Sequence, residues 1–441
     1  MRPPTEDVVS NESMPSQTEV VVVGGGIIGV STALFLAMAG VPVVLCEKGE
    51  IAGEQSSRNW GWVRRMGRDP RELPLIVEAM NIWENISQTL GEDVGFRRTG
   101  ILYACENAQD EASREGWLKA AGPYALDSKM IGAQQLAGLM PGASKIWRSG
   151  LYTPSDGRAE PQKAAPAIAR AAQRHGAVIL QQCAVRGIER TGGQISSVVT
   201  ERGPIACKTV VLAGGVWSTL FCRSLGIRLP QLGVRASVLR TSPVEGPPGA
   251  AWCAEFAYRK RLDGGYTIAN GSENRSEITP DSFRFFMDFL PLLKMEVRHI
   301  ELRFGRPFFE QWRQWRPWKL DEISPFERRR TIDPDPVDGT LDRAYRDLTR
   351  VFPQFAQARI EQRWGGLIDA TPDTVPVIST VDQVPGLIVG TGFSGHGFGI
   401  GPGAGRLLAD LAMARQPIVD PTPFRYSRFT DGTPIAPFGG L

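Results

Sequence analysis

Three glycines near the start of the chain are spaced as a dinucleotide-binding loop requires. Gly24-x-Gly26-x-x-Gly29 lies between a valine run and an apolar helical stretch. The first glycine allows a tight turn, the second lets a pyrophosphate approach the backbone, and the third allows the helix to pack closely on the strand. The start of the helix then offers unpaired N–H groups and its positive dipole end to the phosphates. The motif therefore predicts a phosphate-binding loop.

Glu47 supplies the acid that such a loop needs. It follows the next apolar strand, close to the offset of about 20 residues at which a carboxylate accepts hydrogen bonds from ribose hydroxyls. Loop and acid together predict an adenine dinucleotide. They do not decide between FAD and NAD.

The elements around the motif predict a parallel α/β unit. The β-branched run 20–23 indicates a strand, residues 30–39 indicate a helix that Gly40 ends, and residues 41–47 indicate a second strand. Parallel strands need such a crossover helix. The opening residues therefore predict a βαβ unit.

Later segments repeat this pattern or depart from it. Helix and strand are predicted again at 161–182, a buried strand at 209–212, and a strand, glycine loop and helix at 386–411, with that helix around Gly405 to Met413. Between about 228 and 270 the strands alternate in hydrophobicity, which predicts an antiparallel sheet. A second domain inserted in the first would explain this order.

Composition limits the classes of function. The 441 residues exceed what one core usually fills, so two domains are expected. A net charge of +3 gives no broad basic surface, so no nucleic-acid partner is expected. The six cysteines form no C-x-x-C pair, which favours a reducing compartment without bound metal. The first 17 residues lack the features of a signal peptide, so a cytoplasmic location is expected, with a peripheral membrane contact left open.

A tryptophan cluster bears on that last possibility. Trp312, Trp315 and Trp318 alternate with Arg313 and Arg316. Such a group fits a membrane-interface or base-stacking surface. Helix packing with arginines that extend to solvent is the other interpretation.

Three further segments carry a resemblance to a known family. They read Ser56-Ser57-Arg58-Asn59-Trp60-Gly61, Ala213-Gly214-Gly215-Val216-Trp217-Ser218 and Gly390-Thr391-Gly392-Phe393-Ser394-Gly395-His396-Gly397-Phe398-Gly399. With the glycine loop and Glu47-Lys48, they make the chain from about Glu19 to Gln416 resemble the FAD-dependent D-amino-acid oxidase (DAO) family. This family includes D-amino-acid dehydrogenases, glycine and sarcosine oxidases, and opine oxidases.

The resemblance implies an α/β fold with FAD as the cofactor, in which a glutathione-reductase-type Rossmann domain carries an inserted α+β substrate domain built on an antiparallel sheet. A flexible tail would occupy residues 1–17. The discontinuous FAD-binding domain would comprise 18–80, 150–228 and 340–441, and the substrate domain 81–149 and 229–339.

The resemblance also implies which residues hold FAD. The two serines would reach phosphate oxygens, and the Asn-Trp-Gly segment would lie under the flavin ring. The later glycine loop would aim N–H groups at the flavin edge where negative charge develops on reduction. No cysteine lies in these segments, so the cofactor is expected to be noncovalent. The implied cofactor-binding residues are Gly24, Gly26, Ile28, Gly29, Glu47, Lys48, Ser56, Ser57, Asn59, Trp60, Gly61, Val185, Ala213, Gly214, Trp217, Gly392, Gly395, His396, Gly397, Phe398 and Gly399.

The expected reaction is oxidation of a C–N bond in an amino acid or secondary amine, with hydride passing to flavin N5 and the imine hydrolysing in water. FAD carries this chemistry, so no dedicated acid or base is required. That suits a chain with only three histidines, His175, His299 and His396. Two alternatives stay open: a 2-hydroxy-acid dehydrogenase with His396 as its base, and an RNA-modifying flavoprotein, which the near-neutral charge disfavours.

One position departs from the family pattern. Many members have a strand reading Trp-x-Gly-Leu-Arg, whose arginine binds the substrate carboxylate, whereas here Trp364-Gly365-Gly366-Leu367 is followed by Ile368. An aliphatic side chain cannot form a bidentate ion pair. Tyr258 and Arg259 are the predicted substitutes, with Arg64 and Arg65 behind them. The acceptor that reoxidises FAD stays open between oxygen, a quinone and a carrier protein.

Overall fold

In the computed structural model of the chain, residues 2–272, 274–296 and 300–438 are described, and His299 lies outside them. The strands are β1 (Val20–Val23), β2 (Val43–Cys46), β3 (Trp62–Val63), β4 (Arg97–Arg98), β5 (Ile101–Cys105), β6 (Lys129–Gly132), β7 (Ser149–Thr153), β8 (Gly157–Arg158), β9 (Val178–Leu180), β10 (Val185–Thr191), β11 (Gln194–Thr200), β12 (Gly203–Ala206), β13 (Thr209–Leu212), β14 (Leu232–Thr241), β15 (Ala250–Trp252), β16 (Ala257–Lys260), β17 (Tyr266–Ala269), β18 (Asn274–Ile278), β19 (Ile300–Phe304), β20 (Ile360–Ala370), β21 (Val377–Thr380) and β22 (Leu387–Thr391). The helices are α1 (Ile27–Met38), α2 (Gln55–Arg58), α3 (Leu73–Leu90), α4 (Ala108–Ala121), α5 (Ala133–Leu139), α6 (Pro161–Arg174), α7 (Ser218–Ser224), α8 (Pro280–Arg284), α9 (Phe286–Glu296), α10 (Arg306–Gln314), α11 (Pro325–Arg328), α12 (Asp338–Val351) and α13 (Gly397–Ala412).

Six strands form the sheet that carries the glycine loop. Their order is β21-β22-β13-β1-β2-β9. The pairs β1–β2, β1–β13, β13–β22 and β2–β9 are parallel, and β21 is antiparallel at one edge. β1 and β2 read as continuous apolar runs because both faces of the sheet are covered. Val20 and Val22 face the core that includes α1 and α13, whereas Val21 faces a core shared with the small antiparallel sheet β10-β11-β12. The predicted α/β class is confirmed.

Helix α13 begins earlier than the sequence suggested. The prediction of a helix around Gly405 was wrong at its start, because α13 begins at Gly397, inside the predicted loop. Glycine disfavours helices, which hid this first part of the helix from sequence analysis. These glycines allow close packing on α1: a Cβ at Gly401 would lie 3.0 Å from Ile27, and one at Gly405 would lie 2.3 Å from Ser31.

The second large sheet is mostly antiparallel. Its order is β19-β18-β14-β17-β16-β15-β5-β7-β6, with β20 also paired to β14. The β14–β20 ladder runs from Leu232 opposite Ala370 to Thr241 opposite Ile360. β20 lies in this sheet although the sequence assigned 340–441 to the FAD-binding part. The predicted domain boundaries stay a prediction.

Two further observations concern the state of the cysteines and whether any helix could span a membrane. All six cysteines are buried free thiols. Within the described residues, every helix is either too short or too polar to cross a membrane.

Candidate active site

A cleft of about 1270 Å³, part of it open to solvent, lies where β1, β2 and β13 end. Ligands of open α/β sheets bind at this edge. The predicted cofactor residues that line the cleft are Gly24, Gly26, Ile28, Glu47, Lys48, Ser56, Asn59, Val185, Ala213, Gly214, Trp217, Gly395, Gly397 and Phe398. The remaining predicted cofactor residues are not part of this lining; they are Gly29, Ser57, Trp60, Gly61, Gly392, His396 and Gly399.

The glycine loop has the geometry that the motif predicts. Gly24 adopts a φ of +114°, and a Cβ there would lie 2.4 Å from the carbonyl oxygen of Ala213. A Cβ at Gly29 would lie 2.0 Å from the carbonyl oxygen of Gly24. At Gly26 the protein atom a Cβ would meet is Ser56 Oγ, at 3.0 Å, so this position faces the cleft. The loop therefore fits a pyrophosphate at Gly26.

Glu47 lies beside this loop with its carboxylate fixed. Its Oε2 accepts from the N–H of Gly25 and its Oε1 from the N–H of Gly49, both at 2.6 Å. Burial raises the pKa of Glu47, against the opposing effects of Lys48 and these two N–H groups. The carboxylate is thus oriented for ribose hydroxyls at the cleft wall.

Trp217 contacts three other residues that line the cleft, Glu54, Lys48 and Phe326. Its indole N–H donates to Glu54 at 3.0 Å, and Lys48 Nζ lies 4.3 Å from the ring centroid. Phe326 packs edge-on against the indole at 5.8 Å. Glu54 and Phe326 line the cleft together with Arg330. Sequence analysis missed these three: Phe326 and Arg330 come from a distant segment, and the nearness of Glu54 to Ser56 was the one available signal.

Asp369 is another lining residue that the sequence analysis missed. Its Oδ2 accepts from the N–H of Gly392 at 2.8 Å and from Gln231 Nε2 at 3.2 Å. Its carbonyl oxygen accepts from the N–H of Ser394 at 2.9 Å. Burial raises the pKa of Asp369, while the N–H of Gly392 opposes that rise. Asp369 therefore ties β20 to the predicted flavin loop, and its position just after Ile368 was the signal for it.

His396 caps α13 at its N-terminus and contacts two buried charges. Its Nδ1 lies 3.2 Å from Glu72 Oε2. Arg68 Nη2 donates to the carbonyl oxygen of His396 at 3.2 Å. The ring is 11% exposed and lies between two residues that line the cleft, Gly395 and Gly397.

Arg259 and Tyr258 lie in the large sheet, behind the cleft lining. Arg259 is 1% exposed and donates to Glu160 at 2.8 Å and to the carbonyl oxygen of Trp60 at 2.6 Å. Tyr258 is buried against Phe352, with ring centroids 5.8 Å apart. Burial raises the pKa of Tyr258 and lowers that of Arg259. The assignment of both residues to the substrate stays a prediction.

Ile368 stands where a carboxylate-binding arginine would face the flavin loop. A Cβ at Gly395 would lie 3.7 Å from its Cδ1. The arginines nearby differ in their partners: Arg65 pairs with Asp156, and Arg68 with Glu72. Arg64 has no carboxylate partner among the described residues; it donates to the carbonyl oxygen of Met66 and lies 5.7 Å from the Tyr103 ring centroid.

Comparison with known proteins identifies similar chains. Residues 19–411 match the family model described as FAD dependent oxidoreductase (DAO). The chain is similar to the L-amino acid deaminase of Proteus myxofaciens solved with anthranilate, with 35% identity, coverage of 97% of both chains and a TM-score of 0.93. It is 25% identical to the glycine oxidase of Pseudomonas aeruginosa, over 92% of this chain and 97% of that one. It is 24% identical to the 4-methylaminobutanoate oxidase (formaldehyde-forming) of Paenarthrobacter nicotinovorans over 96% of its own length, and spans 47% of that relative.

Proposed function

Since the chain belongs to the DAO family of FAD-dependent oxidoreductases, we propose that it oxidises the C–N bond of an L-α-amino acid. The predicted family and the predicted FAD cofactor are confirmed by that membership. The family relationship supports oxidation of a C–N bond in an amino acid or amine. We add that the substrate has the L configuration and carries an α-carboxylate. The observation that carries them is the similarity to an L-amino acid deaminase along 97% of both chains.

Different residues of the cleft would bind the cofactor, stabilise charge on it and orient the substrate. FAD, when bound, accepts the hydride and its two electrons. Gly26 and the start of α1 would hold the pyrophosphate, and Glu47 the ribose. The first turn of α13 presents the positive end of its dipole to the cleft, where it would stabilise negative charge that develops on reduction. Because the cofactor carries the chemistry, the remaining task of the protein is to orient the amine.

Arg64 is the proposed anchor of the substrate carboxylate. Ile368 cannot supply the ion pair that the family pattern implies at this position. Arg64 makes no ion pair among the described residues, whereas Arg65, Arg68 and Arg259 are each bound to a carboxylate. It also lies close enough to His396 to lower the pKa of that imidazole, although burial is the largest cause of that shift. A guanidinium without a carboxylate partner near His396 supports an anionic substrate group there.

An apolar face formed by Phe283, Phe304, Phe308, Phe309 and Trp312 is the proposed membrane contact. Phe283 is 69% exposed, and Phe304 and Trp312 are each 61% exposed. Ring contacts link the cluster: Phe304 and Phe308 centroids are 5.0 Å apart. Arginines beside it, Arg306 and Arg313, are exposed. Large exposed aromatics with neighbouring cations suit a peripheral contact with anionic lipid.

Sedimentation with lipid vesicles tests this face. The wild type should sediment with phosphatidylglycerol vesicles, and Phe304→Ser/Phe309→Ser/Trp312→Ser should not, while the variant keeps its oxidation rate with a soluble dye acceptor. Equal sedimentation of both proteins would remove the face from membrane binding. Reoxidation by a vesicle-borne quinone, oxygen or a carrier protein can then be compared directly.

Anaerobic flavin bleaching tests the substrate. Purified holoenzyme is mixed with L- and D-amino acids, N-alkyl amino acids, opines and 2-hydroxy acids, and the loss of flavin absorbance is timed. This readout does not depend on the acceptor. We expect L-α-amino acids to bleach fastest, with a 2-oxo acid and ammonia as products. Faster bleaching by D-amino acids, N-alkyl substrates or hydroxy acids would overturn the proposal.

A further inference from the structure

Glu72 is a buried carboxylate with few partners. Its residue exposure is 0%, and it lies just before α3. Oε2 lies 3.2 Å from His396 Nδ1 and 3.5 Å from Arg68 Nη1, whereas Oε1 has no hydrogen-bond partner among the described residues. An ionised carboxylate in this state costs stability, because burial removes water that protein donors only partly replace. A role beyond stability would account for a buried, incompletely hydrogen-bonded carboxylate at this position.

Arg68 fixes the histidine that Glu72 contacts. Its Nη2 donates to the carbonyl oxygen of His396 at 3.2 Å and its Nε to that of Arg64 at 3.1 Å. The indole N–H of Trp117 donates to the carbonyl oxygen of Arg68 at 2.8 Å. The backbone at His396 is held further by its own N–H, which donates to the carbonyl oxygen of Phe393 at 2.7 Å. These bonds fix the backbone of His396 between Gly395 and Gly397, two residues that line the cleft.

The contact with Glu72 decides which nitrogen carries the proton. Nδ1 of His396 lies 3.2 Å from Glu72 Oε2, and although the two groups are not aligned as a hydrogen bond, Nδ1 has no hydrogen-bond partner elsewhere among the described residues. A neutral imidazole next to a carboxylate places its proton on the facing nitrogen, and the other nitrogen then keeps its lone pair. We propose that Glu72 is a positioning residue that holds His396 in the Nδ1–H tautomer, so that Nε2 accepts a hydrogen bond from the substrate amino group. This inference rests on the proposed amino-acid oxidation.

The charges around the ring keep it neutral. Burial, followed by Arg68, lowers the pKa of His396 to about 4, with Glu72 opposing and Arg64 adding to the fall. Although burial opposes it, contact with His396 and Arg68 lowers the pKa of Glu72. At neutral pH, Glu72 is therefore ionised and His396 uncharged. An uncharged ring accepts a hydrogen bond from an amine, whereas an imidazolium would repel an ammonium group.

Nitrogen NMR of the holoenzyme tests the tautomer directly. The chain has only three histidines, so ¹⁵N-histidine labelling gives three imidazole spin systems, and His396→Gln identifies the relevant one. We expect the shift pattern of the Nδ1–H tautomer for His396 in the wild type and a gain of the Nε2–H form in Glu72→Gln. A wild-type His396 in the Nε2–H form would overturn the proposal, whatever the substrate is.

Kinetics test whether the tautomer matters to the substrate. Glu72→Gln should raise KM for the best amino acid by roughly 10-fold, while FAD affinity and the flavin spectrum stay unchanged. Glu72→Asp should recover part of that loss, and Glu72→Gln/His396→Gln should lose no more than His396→Gln alone. Glu78→Gln, on α3, which follows Glu72 directly, is the matched control and should behave as wild type. Additive losses in the double variant would overturn the coupling. If the screen instead finds no amine substrate, the proposed function fails while the NMR result still stands.

Discussion

Arg259 Nη1 lies 2.8 Å from Glu160 Oε1, and both side chains are buried. The pair joins β16 of the large sheet to the residue that precedes α6. Arg259 Nε also donates to the carbonyl oxygen of Trp60, at 2.6 Å, in the loop predicted to lie under the flavin. One guanidinium thus connects the large, mostly antiparallel sheet, the start of α6 and the loop that carries Trp60.

Arg259→Met should therefore destabilise the protein. Removing one partner of a buried ion pair costs about 3–5 kcal/mol, because the other charge is left without compensation. Urea denaturation measures this loss. Arg148→Met is the control, since Arg148 and its partner Glu111 form an exposed pair whose loss should cost little. The sequence assignment of Arg259 to the substrate predicts a different result: normal stability with KM raised only for substrates that carry a carboxylate.

Glu160 should make the protein acid-sensitive. Although burial opposes it, Arg259 lowers the pKa of Glu160 below its usual value of about 4.3. A carboxylate with a lowered pKa in the folded state contributes its full stabilisation above the unfolded pKa and loses it as the pH falls through the folded pKa. The free energy of unfolding should thus fall on acidification below about 4.3 in the wild type and fall less in Glu160→Gln. An identical pH slope in the two proteins would contradict this.

Local signals account for the parts of the site that the sequence predicted. Gly24, Gly26 and Glu47 lie in one βαβ unit, where spacing and periodicity determine their positions, so the cleft could be predicted from sequence. The Arg259–Glu160 contact joins residues 99 positions apart. A buried ion pair between residues so far apart in the sequence produces no periodic sequence pattern, so this contact could not be predicted from the sequence. The family pattern indicated that position 368 was unusual, but only the ion pairs in the structure distinguish Arg64 from its neighbours.

Gly26→Val should abolish FAD retention without unfolding the protein. The side chain would project into the cleft, where Ser56 Oγ is the protein atom that a Cβ would meet, so the clash is with the cofactor. Wild-type protein should release intact, noncovalent FAD on denaturation, whereas the variant should purify colourless with unchanged far-UV circular dichroism. Gly116→Val is the control, since nothing lies within 4 Å of a Cβ there. A yellow Gly26 variant would show that the pyrophosphate lies elsewhere.

Glu47→Gln should weaken FAD binding by about 1.5–3 kcal/mol, the value of a hydrogen bond to a charged group. Burial raises the pKa of Glu47, so the carboxylate becomes protonated at a higher pH than an ordinary glutamate does. Wild-type affinity for FAD should consequently begin to fall at a pH above about 4.3, and the Gln variant should not show this step. Fluorescence quenching of FAD by the apoprotein measures both. A pH-dependent step that persists in Glu47→Gln would assign the effect to another group.

Arg64→Met should separate substrates by whether they carry a carboxylate. Arg64 makes no ion pair among the described residues, although its charge favours the ionised forms of buried Glu72 and Asp156, so its removal should cost less stability than breaking the buried Arg259–Glu160 pair. The lost charged hydrogen bond to substrate is worth about 1.5–3 kcal/mol, which corresponds to KM raised roughly 10- to 150-fold for an L-amino acid. KM for the matching decarboxylated amine should stay within about twofold, because that amine makes no such bond.

Arg148→Met, on an exposed pair, is the control for loss of a surface charge. Ile368→Arg in the Arg64→Met background places a guanidinium beside Gly395, as the family pattern implies, and should recover carboxylate binding with a changed preference between the two hands of the substrate. Equal KM for wild type and Arg64→Met on the L-amino acid would remove Arg64 from the site and return the search to Tyr258 and Arg259.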